Sequence, residues 1–215
     1  AVLVAAKLLQ EVVGDLLVID VGGATTDVHS VTPGSEEINR LLLHPEPLTK
    51  RTVEGDLGVY LNAPHVAGRI GKETLATRIG HDVSSLLDSW PAIPSTAGEL
   101  RLLEEFTGEA ARTALERHAG RLKQLYGPHG RSTIAMGKDL SNVRYVIGTG
   151  GPLTRLANAK ELLAAMLAKP AGQALLPKAS AEILIDQHYN LAALGVLAKR
   201  YPRAALHLMQ ESLGL

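Results

Sequence analysis

The stretch Asp20-Val-Gly-Gly-Ala-Thr-Thr-Asp27, with Leu16, Leu17, Val18 and Ile19 ahead of it, decides how this chain folds. A short apolar run closing on two glycines has the pattern of a strand buried on both faces before a tight turn. Beyond the turn, residues alternate polar and apolar from Thr26 to Val31 and stop at Pro33-Gly34, so the two runs predict a β-hairpin. Gly22 and Gly23 let the backbone take positive φ and approach an anion, so that consecutive N–H groups can point at phosphate oxygens. Thr25 and Thr26 add hydroxyl donors around Ala24. Asp20 is costly inside a buried strand unless donors or a cation meet it. A hydrated Mg2+ between Asp20 and a phosphate would meet that need. Spacing alone accommodates equally an ordinary hairpin turn with Asp20 capping it.

Working outward, Ile38 to Leu43 and Leu48 to Val53 read as further strands separated by a turn at Pro45 and Pro47. From Glu54 the periodicity becomes helical. Thr96 and Glu99 form a capping box ahead of a helix through Leu100, Leu103 and Phe106. Glu109 to Tyr126 predicts another helix, with Ala111, Ala114, Leu115, His118, Leu122 and Leu125 on one face. Stretches around Pro91–Pro94 and over Gly127–Gly130 read as loops. Strand character returns at Ser132 to Met136 and at Val143 to Ile147. The second of these runs into Gly148-Thr149-Gly150-Gly151 and an amphipathic helix from Pro152 to Leu167. Strand, glycine loop and helix make a nucleotide-binding arrangement, in which a flat base and ribose pack on the main chain and the helix dipole faces a phosphate. Taken alone, the same loop serves equally as a close-packed strand-to-helix turn. Ala181 to Ile185 is a last strand, and Asn190 to Lys199 and Pro202 to Leu213 are helices.

Composition narrows the function classes. With 215 residues, 46% of them hydrophobic, the chain can bury a real core. Lys+Arg and Asp+Glu balance at 22 each, which leaves no basic field for a nucleic acid. There is no cysteine, so disulfides, thiolate metal sites and thiol nucleophiles are excluded, and a cytoplasmic location is expected. The apolar opening segment Ala1 to Val13 is interrupted by Lys7, Gln10 and Glu11 well short of a bilayer span, and reads as a buried helix with no membrane role. It starts without methionine, which suggests a piece of a longer protein. None of the eight histidines falls in an HxxxH or HxH pair. His118 reads as a hydrogen-bonded core residue and His29 as a strand-surface residue. The Glu104-Glu105 pair reads as solvated, and no Ser/His/Asp triad is visible.

The two glycine motifs in this order resemble a known group. The hairpin Asp20 to Asp27 resembles the second phosphate motif of the actin/sugar-kinase/DnaK superfamily, and Gly148 to Leu153 resembles its adenosine motif. Arg51-Thr-Val-Glu-Gly-Asp-Leu-Gly58 stands where that superfamily has a glycine-acidic segment, and Asn190 to Leu197 looks like its small-residue interdomain helix. There Ala192, Ala193 and Gly195 would let two helices cross closely. Within the superfamily the wording is similar to the glutamate-mutase-associated ATPases called MutL, unrelated to the mismatch-repair protein of that name.

The resemblance implies an α/β fold: a ribonuclease H-like second lobe of the superfamily's ATPase fold, formed by 1–62 and 131–215, with a helical insert at 63–130. It implies ATP and Mg2+ as cofactors, with Asp20 and Asp27 organising the ion and attacking water and Asp20 nearest the metal. Gly22, Gly23, Ala24, Thr25 and Thr26 would bind phosphates. Gly148, Thr149, Gly150, Gly151, Pro152 and Leu153 would hold adenosine, and Glu54, Gly55 and Asp56 would make ribose or water contacts. The implied role is an ATP-dependent chaperone or reactivase for an adenosylcobalamin-dependent mutase, with room for a homodimer. Small-molecule kinases, hydantoinase/oxoprolinase-type enzymes and non-hydrolysing scaffolds share the hairpin. Ala24 departs from the third glycine of chaperone relatives. The superfamily's first phosphate motif belongs to an N-terminal half that these residues do not include, so this chain alone is expected to bind nucleotide weakly or not at all.

Overall fold

A computed structural model describes residues 1–80, 82–127 and 130–215. Helix α1 (Val2–Val13) leads through Gly14 into strand β1 (Leu16–Val21), which turns back as β2 (Thr26–Val31). A one-turn helix α2 (Glu36–Asn39) and strand β3 (Thr49–Glu54) follow. Four helices come next: α3 (Ala63–Ile70), α4 (Lys72–Ile79), α5 (Val83–Asp88) and α6 (Ala97–His118). Strands β4 (Arg121–Gly127) and β5 (Gly130–Met136) pair with each other. Then come β6 (Tyr145–Thr149), α7 (Gly151–Arg155), α8 (Ala159–Leu167), β7 (Glu182–Ile185), α9 (Leu191–Leu197) and α10 (Pro202–Leu213).

The main sheet is mixed, in the order β3-β2-β1-β6-β7, with β1, β6 and β7 parallel and β1, β2 and β3 an antiparallel meander. Strand alternation sends Leu17, Ile19 and Val21 to one side, into a core with α3, α6 and α8. Leu16 and Val18 point the other way, into a second core with α1, α9 and α10. Both faces are covered, which is why the β1 sequence is a nearly unbroken apolar run. The first core runs continuously from Leu17 through Val66 and Phe106 to Leu140 and Leu163, so the helices of 63–118 share it with the sheet. Gly195 on α9 lies against the backbone of α1, where a Cβ would collide with the carbonyl of Ala1, whereas Ala192 and Ala193 face outward.

The capping box stands as read: Thr96 Oγ1 accepts from the Glu99 amide at 3.3 Å, and the Glu99 carboxylate accepts from the Thr96 amide at 3.0 Å. Four local expectations are corrected. Ile38 to Leu43 is not a strand, because Ser35 Oγ accepts from the Ile38 amide and starts the α2 turn instead. The expected helix from Glu109 to Tyr126 is two things: α6 runs unbroken from Ala97 to His118, and 121–127 is strand β4. The switch is set by Gly120 and Gly137, whose backbones pack so closely that a Cβ on Gly120 would lie 2.6 Å from the Gly137 carbonyl. The helix expected from Pro152 to Leu167 is broken where Leu156 takes an extended backbone to enter the core, leaving α7 and α8. His29 is not on a surface, since α1 covers that face of β2 and leaves it 3% exposed. Of the expected loop at Gly127–Gly130, positions 128 and 129 lie outside the described residues.

His118 is the hydrogen-bonded core residue expected: Ser30 Oγ lies 2.8 Å from Nε2 and Thr52 Oγ1 2.9 Å from Nδ1. No helix is long and apolar enough among the described residues to cross a membrane.

Candidate functional site

The C-terminal ends of the neighbouring parallel strands β1 and β6 place the two glycine bends side by side. Asp20 pairs with Thr149 across the strands, and Gly150 bends immediately after it with φ 93° and ψ 155°. This is a backbone region only glycine occupies readily. Its position is enforced: a Cβ there would collide with the Val21 carbonyl and stand 2.8 Å from Asp20 Oδ1. Gly22, Gly23, Gly151 and Pro152 together line one cavity of about 150 Å³, closed on its far side by Trp90 and Ile93. Ligand-sized pockets are several hundred Å³, so the cavity is one wall of a site rather than a complete one.

The hairpin turn is held by its carbonyls. Gly22 and Gly23 accept from the amides of Val59 at 3.1 Å, Tyr60 at 2.9 Å and Leu61 at 2.9 Å, and the Gly22 amide donates to the Thr25 carbonyl at 2.9 Å. Gly58 allows this clamp, because a Cβ there would collide with the carbonyl of Ala24. The amides of Gly23, Ala24 and Thr25 meet no acceptor among the described residues. Three consecutive open N–H groups on a rigidly held turn are an anion-binding feature.

Asp20 and Asp27 pair across β1 and β2 and share one face of the sheet, opposite the face of Ile19 and Val28. Asp20 is partly exposed and accepts no hydrogen bond from the described residues. Burial pushes its carboxyl up to about 6, with the charges of Asp27 and Asp186 adding to the effect and Arg51 opposing it. Asp27, directly opposite on β2, is already committed. Its Oδ1 accepts from Arg51 Nε at 3.0 Å and Nη2 at 2.7 Å, and its Oδ2 accepts from Thr25 Oγ1 at 2.9 Å. Asp27 therefore fixes the Thr25 rotamer at the turn, with Arg51 cancelling its charge. Among the described residues no three His, Asp or Glu side chains converge to hold an ion by themselves. A single open carboxylate near three open amides would suit a hydrated Mg2+, which keeps most of its waters and takes its other ligands from phosphate.

Other residues singled out from the sequence lie elsewhere. Thr26 is fully buried with its hydroxyl donating to the Leu57 carbonyl at 2.8 Å, so it braces the turn and offers no donor to a phosphate. Glu54 and Asp56 sit behind the hairpin and pair with Arg117 at the end of α6, at 2.6 Å and 2.7 Å. The Arg117 hydrogen bond holds the Asp56 carboxyl down at about 2. The carbonyl of Gly55 accepts from Asn62 Nδ2 at 2.8 Å, and the same amide reaches the Ala24 carbonyl at 3.3 Å. Gly148 is a packing glycine, since a Cβ would meet Ile185, Leu163 and Leu153 at 2.9 to 3.4 Å, and Leu153 is fully buried. Thr149 spends its hydroxyl on Asp186 Oδ2 at 2.8 Å. The helix expected to aim its dipole from Pro152 is only the five-residue α7, too short to sum much of one.

Reasoning from sequence missed the individual roles of Arg51 and Asp186. Asp186 is fully buried at the end of β7 and also accepts from Ser212 Oγ at 2.7 Å and the Leu191 amide at 3.0 Å, tying β6, α9 and α10 together. An acid at the end of an apolar strand was the available signal, the same one that marked Asp20. The Trp90–Pro94 wall carried no motif at all.

The profile of a family described as MutL protein matches residues 1–213. A curated relative, "Protein MutL" of Clostridium tetanomorphum, is 36% identical over 228 aligned residues covering 99% of this chain and 49% of the relative. The chain thus spans about half the length of the curated relative it matches. With the profile and the curated relative both matching nearly end to end, the chain belongs to the MutL protein family.

Proposed function

We propose that this chain is the nucleotide-binding lobe of an ATPase that serves as chaperone or reactivase for an adenosylcobalamin-dependent mutase such as glutamate mutase. The observation that carries the reading is the adjacency of the two bends: Gly150 packs directly on Val21 and Asp20, and Gly22, Gly23 and Gly151 border one cavity. The mixed five-stranded sheet covered by helices on both faces supports the ribonuclease H-like lobe of the actin/sugar-kinase/DnaK fold.

In this reading the amides of Gly23, Ala24 and Thr25 and the Thr25 hydroxyl take phosphate oxygens, and Asp20 holds a hydrated Mg2+. Asp27 and Arg51 hold Thr25 in place. The main chain at Gly150 and Gly151, with Pro152, supports the nucleoside. If bound, ATP would supply the free energy, and α9, whose Ala192 and Ala193 are exposed, is where lobes would pivot. A second lobe completes the cleft, in keeping with the small cavity of this one and with its share of the relative's length.

The test uses the full-length protein with a purified adenosylcobalamin-dependent mutase. Slow Mg-ATP turnover that the mutase stimulates is expected, and Asp20→Asn should lower it by at least about a hundredfold while leaving the thermal transition in place. Unchanged turnover in Asp20→Asn would remove this carboxylate from the mechanism, and absence of turnover with and without the mutase would end the ATPase reading.

A further inference from the structure

Strands β4 and β5 form a ribbon of their own, separate from the main sheet. Its base is tied on both edges. The Leu122 amide donates to the Gln173 carbonyl at 2.8 Å on one side. On the other, the Ala135 amide donates to Leu41 at 2.8 Å and its carbonyl accepts from Leu43 at 3.1 Å. At and beyond this base, Leu125, Ile134 and Met136 belong to neither hydrophobic core.

The pairing register gives the ribbon two faces. Arg121 opposite Met136, Lys123 opposite Ile134, and Leu125 opposite Ser132 share one of them. On that face Leu125 is 46% and Met136 38% exposed, Ile134 is half-buried, and Arg121 and Lys123 are exposed. A two-stranded ribbon gains independent stability only by packing a face against something, and here three apolar side chains outside either core stand beside two cations on β4. The charge is one-signed. From residue 119 to 138 the sequence holds Arg121, Lys123, Arg131 and the buried Lys138 and not one Asp or Glu, although the whole chain is neutral.

We propose that this face of the β4–β5 ribbon is a docking arm for a partner protein whose contact surface has an apolar patch with an acidic edge. Resting on the function proposed above, that partner is the mutase. Charge complementarity selects the occupant: a second copy would bring like-charged arms together, and such juxtaposition is costly. Nucleic acid would need a broad basic field, and this face offers two exposed cations on one strand beside an apolar patch.

The experiment compares full-length wild type, Leu125→Asp and Lys123→Glu for binding to immobilised purified mutase at low and raised ionic strength, with basal ATP turnover and melting temperature measured on each. The expected result is about tenfold weaker mutase binding for each variant, wild-type affinity that falls with salt, and unchanged basal turnover and melting. Wild-type binding that both variants retain in full overturns the docking arm and leaves the proposed function standing. Wild type that does not bind the mutase overturns the functional reading and the arm's partner together. A concentration-dependent dimer that the two substitutions abolish overturns the proposal in favour of a second copy.

Discussion

Replacing Gly150 by alanine tests the geometry on which the site depends. At φ 93° and ψ 155° the residue occupies backbone space that an L side chain reaches only at a cost of about 1–3 kcal/mol. The added methyl would also collide with the Val21 carbonyl and crowd Asp20 Oδ1 at 2.8 Å. The Val21 carbonyl is backbone at the end of a buried strand and cannot swing aside like the tip of a long side chain, so overpacking adds about 1–3 kcal/mol. The sum, roughly 2–6 kcal/mol, is a large part of the stability of an ordinary domain. Urea unfolding followed by emission of Trp90, the single tryptophan of the chain, reads it directly, because Trp90 packs edge-on against Phe106 at 5.4 Å in the core. Gly151→Ala is the matched control. Its Cβ meets nothing within 4 Å and points into open space, so its stability should stay within about 0.5 kcal/mol of wild type. If Gly150→Ala unfolds at the wild-type urea concentration, the contact between the bend and the end of β1 is wrong, and the argument for a shared site goes with it.

Two further outcomes follow from buried polar groups. Burial, with the nearby charges of Lys50, His29 and Lys138, lowers the His118 imidazole to about 3, while in the unfolded chain it titrates near 6.5. Above that unfolded value its contribution is intact; as pH falls from about 6.5 toward 3 the unfolded chain binds a proton the native state refuses, and stability drops by about 1.4 kcal/mol per pH unit. Urea midpoints at several pH values should therefore fall less steeply in His118→Gln, and equal slopes would refute the assignment. Lys138, 1% exposed, donates its ammonium hydrogens to the carbonyls of Thr32, Pro47 and Leu48 and so pins the β2–β3 connection. Lys138→Met leaves those oxygens short of donors and should cost about 2–5 kcal/mol by urea unfolding, and a loss under about 0.5 kcal/mol would show that water replaces the lysine freely.

What the residues alone determined is local. The apolar run into Gly22-Gly23, the alternation from Thr26 to Val31, the capping box at Thr96 and Glu99, and the strand before Gly148 were all legible. Each rests on side-chain periodicity or backbone freedom within a few positions, and those preferences hold wherever the segment ends up. Residues 121–126 show the limit. Leu, Lys, Gln and Arg favour a helix by only tenths of a kcal/mol each, and the close contact of Gly120 with Gly137 outweighed that and made them a strand. The side chains expected to line a buried helix face became the exposed ribbon instead. At the candidate site the glycines announced themselves because conformational freedom is a property of the residue. Which acid stays open was invisible, since Arg51 reaches Asp27 across a strand pair and Arg117 reaches Glu54 and Asp56 from the far end of α6. Only the folded sheet could settle that Asp27, Glu54 and Asp56 are neutralised and Asp20 is not, because Coulomb partners are fixed by distance in space and the sequence records only distance along the chain.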